Sequence, residues 1–182
     1  MGIVSLTADD GSRLTRAFVN ITSFGIGGQV DRIVNHSPKW MGGRVAFLMG
    51  SLRGLASYRN APVNLTIDGA PWYEGRVFNV AVANGRYFGG GMQVAPHADP
   101  ADGLFDVVVL GDFSLGESLG LTRKIYSGTH LSVDKVLSTR AKTVLAEPAR
   151  SRPPVLVDLD GEAPGRLPLT AEIFPGALTI RA

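Results

Sequence analysis

The sequence predicts a mainly β protein with a few helices. Its 23 glycines and 11 prolines fall between short apolar runs, a pattern typical of strands joined by tight turns. Asp-Gly pairs, which favour two-residue hairpin turns, separate several of these runs at residues 10–11, 68–69 and 160–161. Two longer segments instead repeat their apolar residues every three or four positions, as amphipathic helices do.

Length and composition limit the classes of protein that need consideration. The 182 residues are enough for one domain with a substantial core, and we assign 1–182 to a single domain. A net charge of +2, with scattered basic residues, argues against nucleic-acid binding. The absence of cysteine excludes disulfides, thiolate nucleophiles and Cys-type zinc sites, and the three histidines lack metal-ligand spacing. No apolar run reaches about 18 residues and no signal peptide is recognised, so a cytoplasmic location is expected.

The sequence pattern in the first third of the chain predicts a hairpin followed by two helices. Residues 3–7 and 14–22 are the two strands, joined by the Asp-Gly turn at residues 9–12. A short helix is predicted over residues 29–35. A longer helix is predicted over residues 42–58, where apolar residues form a continuous i, i+3, i+4, i+7 stripe.

The rest of the chain predicts a series of strands interrupted by one helix. The helix covers residues 115–126, and residues 147–154 form a Pro-rich loop. Apolar runs predict strands at residues 63–67, 72–73, 76–83, 105–110, 133–137, 141–147, 155–159, 167–173 and 177–180.

Glu162 is the first candidate catalytic residue. It follows Asp160 and Gly161 directly after an apolar strand, so a tight turn would hold its carboxylate at a hairpin tip. Transfer of a phosphoryl group to an alcohol needs a base within hydrogen-bond reach of the hydroxyl. Taken alone, the Asp-Gly-Glu motif could also be a solvated hairpin tip without a catalytic role. In that case the Asp160 side chain could serve simply to close the turn.

Two further loops carry candidate binding residues. Residues 96–106 contain Asp99, Asp102 and Leu104 ahead of a buried strand, and carboxylate and carbonyl oxygens on such loops suit hard cations. A turn in which Asp102 bonds its own backbone is the alternative. Residues 84–92 contain Asn84 and three consecutive glycines centred on Gly90, which allow close approach by a ligand or form a wide turn.

In this order and spacing, the Asn-Gly, triple-Gly, Pro, Asp-Gly-Leu, Gly-x-His and Asp-Gly-Glu motifs resemble the C-terminal half of the diacylglycerol kinase and sphingosine kinase family. The resemblance implies a two-layer β-sandwich in which Glu162, with Asp160, deprotonates the lipid hydroxyl. It implies a Mg²⁺ site formed by Asp99, Asp102 and the carbonyl of Leu104. It also implies that Asn84 and Gly90 line the cleft between two domains.

The same resemblance implies a function and its requirements. The chain would be the substrate-binding and base-donating domain of an ATP- and Mg²⁺-dependent lipid kinase, peripheral to the membrane, with diacylglycerol as the expected acceptor. The family's Gly-Gly-Asp-Gly-Thr nucleotide motif does not occur here, so an N-terminal nucleotide-binding domain is the expected partner. We therefore predict that the chain alone is inactive; a homodimer is compatible with the sequence.

Two other functions remain open from the sequence. The first is a stand-alone lipid-binding or regulatory β-sandwich module without catalytic activity, which would bind lipid but gain no activity from a nucleotide-binding domain. The second is an unrelated β-sandwich that assembles with another protein, which would bind neither lipid nor Mg²⁺.

Overall fold

A computed structural model describes residues 1–35, 58–150 and 153–179. Two α-helices are present in these ranges, α1 (Ile26–Asn35) and α2 (Leu115–Tyr126), with a 3₁₀ turn at His130–Ser132. The strands are β1 (Gly2–Ala8), β2 (Arg13–Phe18), β3 (Ile21–Gly25), β4 (Ala61–Ile67), β5 (Ala70–Val77), β6 (Asn79–Ala83), β7 (Phe105–Leu110), β8 (Val136–Ala141), β9 (Thr143–Pro148), β10 (Leu156–Leu159) and β11 (Glu162–Ile173).

The long strand β11 joins the two halves of one curled sheet. Its first residues pair with β10 and its last residues pair with β9, while β1 runs antiparallel along its other edge. One half of the sheet therefore continues through β9, β4 and β5, and the other through β10, β3, β6, β7 and β8. The halves face each other across a shared core, which gives a two-layer, sandwich-like arrangement.

The shared core is built from the inward-facing residues of both halves. The Phe18 and Phe105 rings stack with their centroids 5.5 Å apart, which connects the end of β2 with the start of β7. Alternation along β6 shows how each strand divides its residues between faces. Val80 and Val82 belong to the shared core, whereas Ala81 belongs to a second cluster on the other face.

Helix α2 and the segment 84–98 cover that other face. Leu121 and Ile125 of α2 pack with Val94 and Ala95 of the segment against Ala81 and other residues of β3, β6 and β7. The helix begins at Ser114 because a capping box is complete there: the Ser114 hydroxyl accepts from the Glu117 N–H, and the Glu117 side chain accepts from the Ser114 N–H. Both faces of β6 are therefore buried, which is why all its residues except Asn79 are apolar.

The predicted fold class is confirmed: the protein is mainly β, sandwich-like and carries helices at α1 and α2. The predicted hairpin at residues 9–12 and the helix at residues 115–126 are also present. The predicted helix at residues 42–58 lies outside the described residues, except for Tyr58, which is not helical.

Several strand boundaries were predicted wrongly. The run 14–22 forms two strands, with a corner at Val19 and Asn20. The run 76–83 is interrupted at Phe78, whose N–H donates to the Leu110 and Gly111 carbonyls at the end of β7. The strand predicted at residues 133–137 begins only at Val136, and residues 177–179 are not a strand. In each case the pairing with a distant strand, rather than the local apolar pattern, determines where the strand ends.

Candidate active site

The β10–β11 turn holds Glu162 in a defined position. Asp160 and Gly161 both have left-handed backbone conformations, with φ of 49° and 89°, which is the geometry of a two-residue hairpin turn. Leu159 and Glu162 are paired across the hairpin immediately beside the turn. Glu162 therefore begins β11 as a strand residue rather than as part of a loose loop.

The Asp160 carboxylate anchors this turn to the corner between β2 and β3. It accepts backbone N–H groups from Val19 and Ile21, each at 2.8 Å, and from Asn20 at 3.2 Å. Its own N–H donates to the Ile21 carbonyl at 3.0 Å. Because three donors already occupy the carboxylate, the structure gives Asp160 an anchoring role.

Glu162 has the exposure that a general base requires. Its side chain is exposed, and within the described residues its carboxylate has no hydrogen-bond or ion-pair partner. A carboxylate in this state can accept a proton from a bound hydroxyl, provided that the acceptor is held within hydrogen-bond distance. Glu162 as the base remains a prediction.

Asp158 is a second anchoring residue that the sequence analysis did not single out. It is buried, with Oδ1 accepting the Gly161 N–H at 2.8 Å and Oδ2 accepting the Ser23 hydroxyl at 3.0 Å. Asp158 and Asp160 therefore both hold the turn. Asp158 faces the side of the sheet opposite the shared core, since its neighbours Val157 and Leu159 face that core. An aspartate within an otherwise apolar strand was the available signal, since a buried charge needs bonding partners.

The β4–β5 hairpin shows which part of this arrangement is general. Asp68 and Gly69 have the same backbone conformation, with φ of 49° and 83°. The Asp68 carboxylate accepts the N–H groups of Lys142 and Thr143, at 2.9 and 2.8 Å, where β8 turns into β9. Anchoring a strand corner is thus common to both turns. The carboxylate after the turn is particular to one of them, because Ala70 stands where the other turn has Glu162.

Asn84 meets the same corner from the opposite side. Its side chain is buried, and its Nδ2 donates to the Val19 carbonyl at 2.7 Å. The N–H groups of Asn84 and Gly85 both donate to the Asn20 carbonyl. A Cβ at Gly85 would lie 2.3 Å from Asn20 Oδ1, so a side chain there would have to displace the Asn20 amide. The Asn84 amide is therefore used to hold the corner, and a cleft-lining role for Asn84 stays a prediction.

The triple-glycine segment forms a compact turn next to this corner. Phe88 and Met92 exchange backbone hydrogen bonds at 3.0 Å, and Gly89, Gly90 and Gly91 have φ of 51°, 80° and 101°. A Cβ at Gly90 would meet nothing within 4 Å, so its surroundings are open. Gly90 as a cleft-lining residue stays a prediction, and the open space around it is compatible with one.

The loop predicted to bind Mg²⁺ is closed by turns and by an ion pair. Asp99 Oδ1 accepts the Ala101 N–H and Asp102 Oδ1 accepts the Leu104 N–H, both at 2.9 Å. The other Asp102 oxygen is bound by the Arg140 guanidinium. The described residues contain no cluster of three or more His, Cys, Asp or Glu side chains arranged for a metal.

The donors of this loop nevertheless suit a hard cation. Carboxylate and carbonyl oxygens are the ligands that Mg²⁺ prefers, and Asp106 adds a buried oxygen, Oδ2, without a hydrogen-bond partner among the described residues. Burial raises the pKa of Asp106, while the nearby His97 opposes this. Asp99, Asp102 and the Leu104 carbonyl would hold the ion, which would replace the Arg140 guanidinium as the positive charge beside Asp102.

Pairing across the sheet brings these separate motifs to one end of it. The Asp160 N–H bonds the Ile21 carbonyl, Ile21 pairs with Ala83, Ala83 pairs with Asp106, and Asp106 pairs with Arg140. The hairpin turn, the Asn-Gly segment and the acidic loop therefore lie along the edge where β10, β3, β6, β7 and β8 begin or end. The fold and this edge define a β-sandwich-like domain whose Glu162 carboxylate has no partner among the described residues.

The chain belongs to the YegS C-terminal NAD kinase beta sandwich-like domain family, whose model matches residues 20–182. It is 32% identical over 153 residues to a diacylglycerol kinase of Mycobacterium tuberculosis, and this alignment covers 82% of the chain and 48% of that protein. It is 33% identical over 158 residues to a Stenotrophomonas maltophilia protein named probable lipid kinase YegS-like, with 86% and 50% covered. The chain thus spans about half the length of these curated relatives.

A solved structure shows the same fold. The crystal structure of a diacylglycerol kinase from Bacillus anthracis str. Sterne aligns with a TM-score of 0.56 and 20% sequence identity, covering 97% of this chain and 52% of that one. In the described part of the chain, neither helix has the length and apolar character needed to cross a membrane.

Proposed function

We propose that this chain is the acceptor-binding, base-donating domain of an ATP- and Mg²⁺-dependent lipid kinase. The observation that carries the proposal is the Glu162 carboxylate, exposed and unpaired among the described residues at a turn held by Asp158 and Asp160. The names of the relatives point to a lipid acceptor, and diacylglycerol is the one we expect. Residues 1–182 would act as one domain beside a nucleotide-binding domain.

In the proposed reaction Glu162 accepts the proton of the lipid hydroxyl as the hydroxyl oxygen forms its bond to the γ-phosphorus of ATP. The bond from that phosphorus to the bridging oxygen of ADP breaks, and ADP carries away the electron pair. Mg²⁺ supplies charge neutralisation at the phosphates, which the other domain would hold. Asp158 and Asp160 position Glu162 through the turn, because a displacement of about 1 Å at a catalytic group is costly.

The experiment is transfer of γ-labelled phosphate from ATP to a bacterial lipid extract, with the chain alone and with a nucleotide-binding domain of a relative joined to it. We expect a labelled lipid only from the joined protein. Glu162→Gln should then lower kcat about 10²-fold or more and leave ATP affinity unchanged. Glu172→Gln, an exposed glutamate on the same strand, is the matched control and should retain activity.

Three results would contradict parts of this proposal. Full activity in Glu162→Gln would remove the base assignment, and product from the chain alone would show that no second domain is required. Vesicle binding by a folded, joined protein that yields no product would favour the stand-alone lipid-binding module.

A further inference from the structure

One flank of α2 carries an apolar stripe that no other described residue covers. Ser118, Leu121 and Ile125 face the protein and are buried. At about 100° per residue, Leu115, Leu119 and Tyr126 instead fall together on one flank of the helix, and Leu119 is 64% exposed. We call these three residues the α2 stripe. Large apolar side chains grouped on one exposed flank are unusual for a surface that faces only water.

Exposed apolar side chains continue from α2 toward Glu162. The C-terminal turn of α2 is bonded to the glycine-rich segment, since the Gln93 N–H donates to the Ile125 carbonyl at 3.1 Å. In that segment Tyr87 is 52% exposed, and its carbonyl accepts from Asn20 Nδ2 at 2.9 Å. The neighbouring Val19, which Asp160 holds, is also exposed. Hydrogen bonds to the backbone thus connect the C-terminal turn of α2, through the glycine-rich segment and the corner, to the β10–β11 turn that carries Glu162.

The charges on α2 favour an anionic partner. Arg123 and Lys124 are exposed in the last turn and have no hydrogen-bond or ion-pair partner within the described ranges beyond the helix backbone. The one acidic residue of the helix, Glu117, is neutralised by Lys135, whose Nζ lies 2.6 Å from its carboxylate. The helix thus combines leucine, tyrosine and unpaired cations, the composition of helices that lie on anionic lipid surfaces.

We propose that the α2 stripe, with Arg123, docks this domain on an anionic membrane surface. This rests on the proposed function, in which the acceptor is a membrane lipid. The leucines and Tyr126 enter the apolar boundary of the lipid layer, and Arg123, which lies beside the stripe on the helix surface, meets its headgroups. Lys124 falls on the opposite flank of the helix. The surface that runs through Tyr87 and Val19 then faces the same layer, where Glu162 can reach the hydroxyl of an acceptor.

Vesicle co-sedimentation of the chain, without ATP, tests the surface directly. We expect binding to vesicles of phosphatidylcholine with phosphatidylglycerol and weak binding to phosphatidylcholine alone. Leu119→Gln should weaken partitioning about tenfold, and Arg123→Gln about fivefold on the anionic vesicles only; Lys124→Gln, on the opposite flank of the helix, should have a smaller effect. Leu137→Gln is the matched control: Leu137 is also exposed but pairs with Val109 on β7, so it faces away from α2.

Binding that Leu119→Gln leaves unchanged would overturn the proposal, as would equal losses in Leu119→Gln and Leu137→Gln. Self-association of the chain in the absence of lipid, abolished by Leu119→Gln, would show that a second copy covers the stripe and would also overturn it. Circular dichroism of each variant confirms that the exposed substitutions leave the fold intact.

Activity of the joined, two-domain protein separates this proposal from the proposed function. Leu119→Gln should lose activity on long-chain diacylglycerol in anionic vesicles and keep it on short-chain diacylglycerol in detergent micelles. Equal loss on both substrates would overturn the docking role. Inactivity of the unmodified protein on both would count against the proposed kinase function, while the vesicle-binding result would still decide the docking surface.

Discussion

The Asp160 carboxylate accepts the backbone N–H of Val19 at 2.8 Å, although 141 residues separate the two in the chain. The same carboxylate accepts from Asn20 and Ile21, so one side chain closes the corner where β2 ends and β3 begins. Asn84 holds that corner from the other side through the Val19 carbonyl. The position of Glu162 therefore depends on the first strands of the chain as much as on its own hairpin.

Replacing Asp160 tests this anchoring role. Asp160→Ala removes the acceptor for three N–H groups, and we expect the free energy of unfolding to fall by about 1–2 kcal/mol, because water can replace part of the lost bonding at this exposed site. In the joined kinase we also expect a lower kcat with little change in KM for ATP, since Glu162 loses its fixed position. Urea unfolding and steady-state kinetics measure the two effects.

Asp68→Ala is the control for the Asp160 substitution. Asp68 anchors the β8–β9 corner in the same way, so its loss should reduce stability by a similar amount and leave kcat unchanged. Equal effects of the two substitutions on kcat would mean that activity follows global stability and not the position of Glu162.

The buried His130 should make stability depend on pH. Burial lowers the pKa of His130 below its ordinary value of 6.5, and the bond between its Nε2 and the Val94 carbonyl, at 2.9 Å, opposes this only in part. The unfolded chain therefore takes up a proton at higher pH than the folded protein does. The stability that neutral His130 contributes is complete above pH 6.5 and is lost as the pH falls below it.

Urea unfolding across this range measures the effect. As the pH falls below 6.5 the free energy of unfolding should decrease, because the unfolded chain binds the proton more readily than the folded protein does. His130→Gln should reduce this pH dependence. A dependence that survives in His130→Gln would be assigned to other groups.

Magnesium binding at the acidic loop should compete with Arg140. The guanidinium occupies the Asp102 oxygen that an ion would use, so Arg140→Gln should strengthen Mg²⁺ binding by about tenfold and Asp102→Asn should abolish it. Isothermal titration of the chain with Mg²⁺ measures both. Arg13→Gln removes the same charge at an exposed site on β2 and should have no effect. Absence of binding even in Arg140→Gln would show that the loop is held by its ion pair alone.

The local sequence pattern was sufficient where an element depends on neighbouring residues. Helix α2 was predicted with its observed boundaries because its apolar period lies within one short segment; the capping box at Ser114, which the structure shows, is local as well. The turns at Asp68 and Asp160 were predicted because Asp-Gly tolerates left-handed backbone conformations. The mainly β class followed from such turns, and the motifs that contain Glu162, Asn84 and Asp102 were recognised from their order along the chain.

Only the tertiary structure decided how these parts meet. Asp158, the corner at Val19 and Asn20, and the pairing of Arg140 with Asp102 were not predicted. The Ser23 partner of Asp158, the Asp160 partner of the corner and the Arg140 partner of Asp102 all lie many positions away in sequence. No two- or four-residue period can indicate such contacts. The sequence by itself determined the class of the fold and which carboxylate follows the turn. Pairing between distant segments decided that Asp158 and Asp160 are bound, while Glu162 has no partner within the described ranges. A buried or corner carboxylate is retained only where hydrogen-bond donors converge on it.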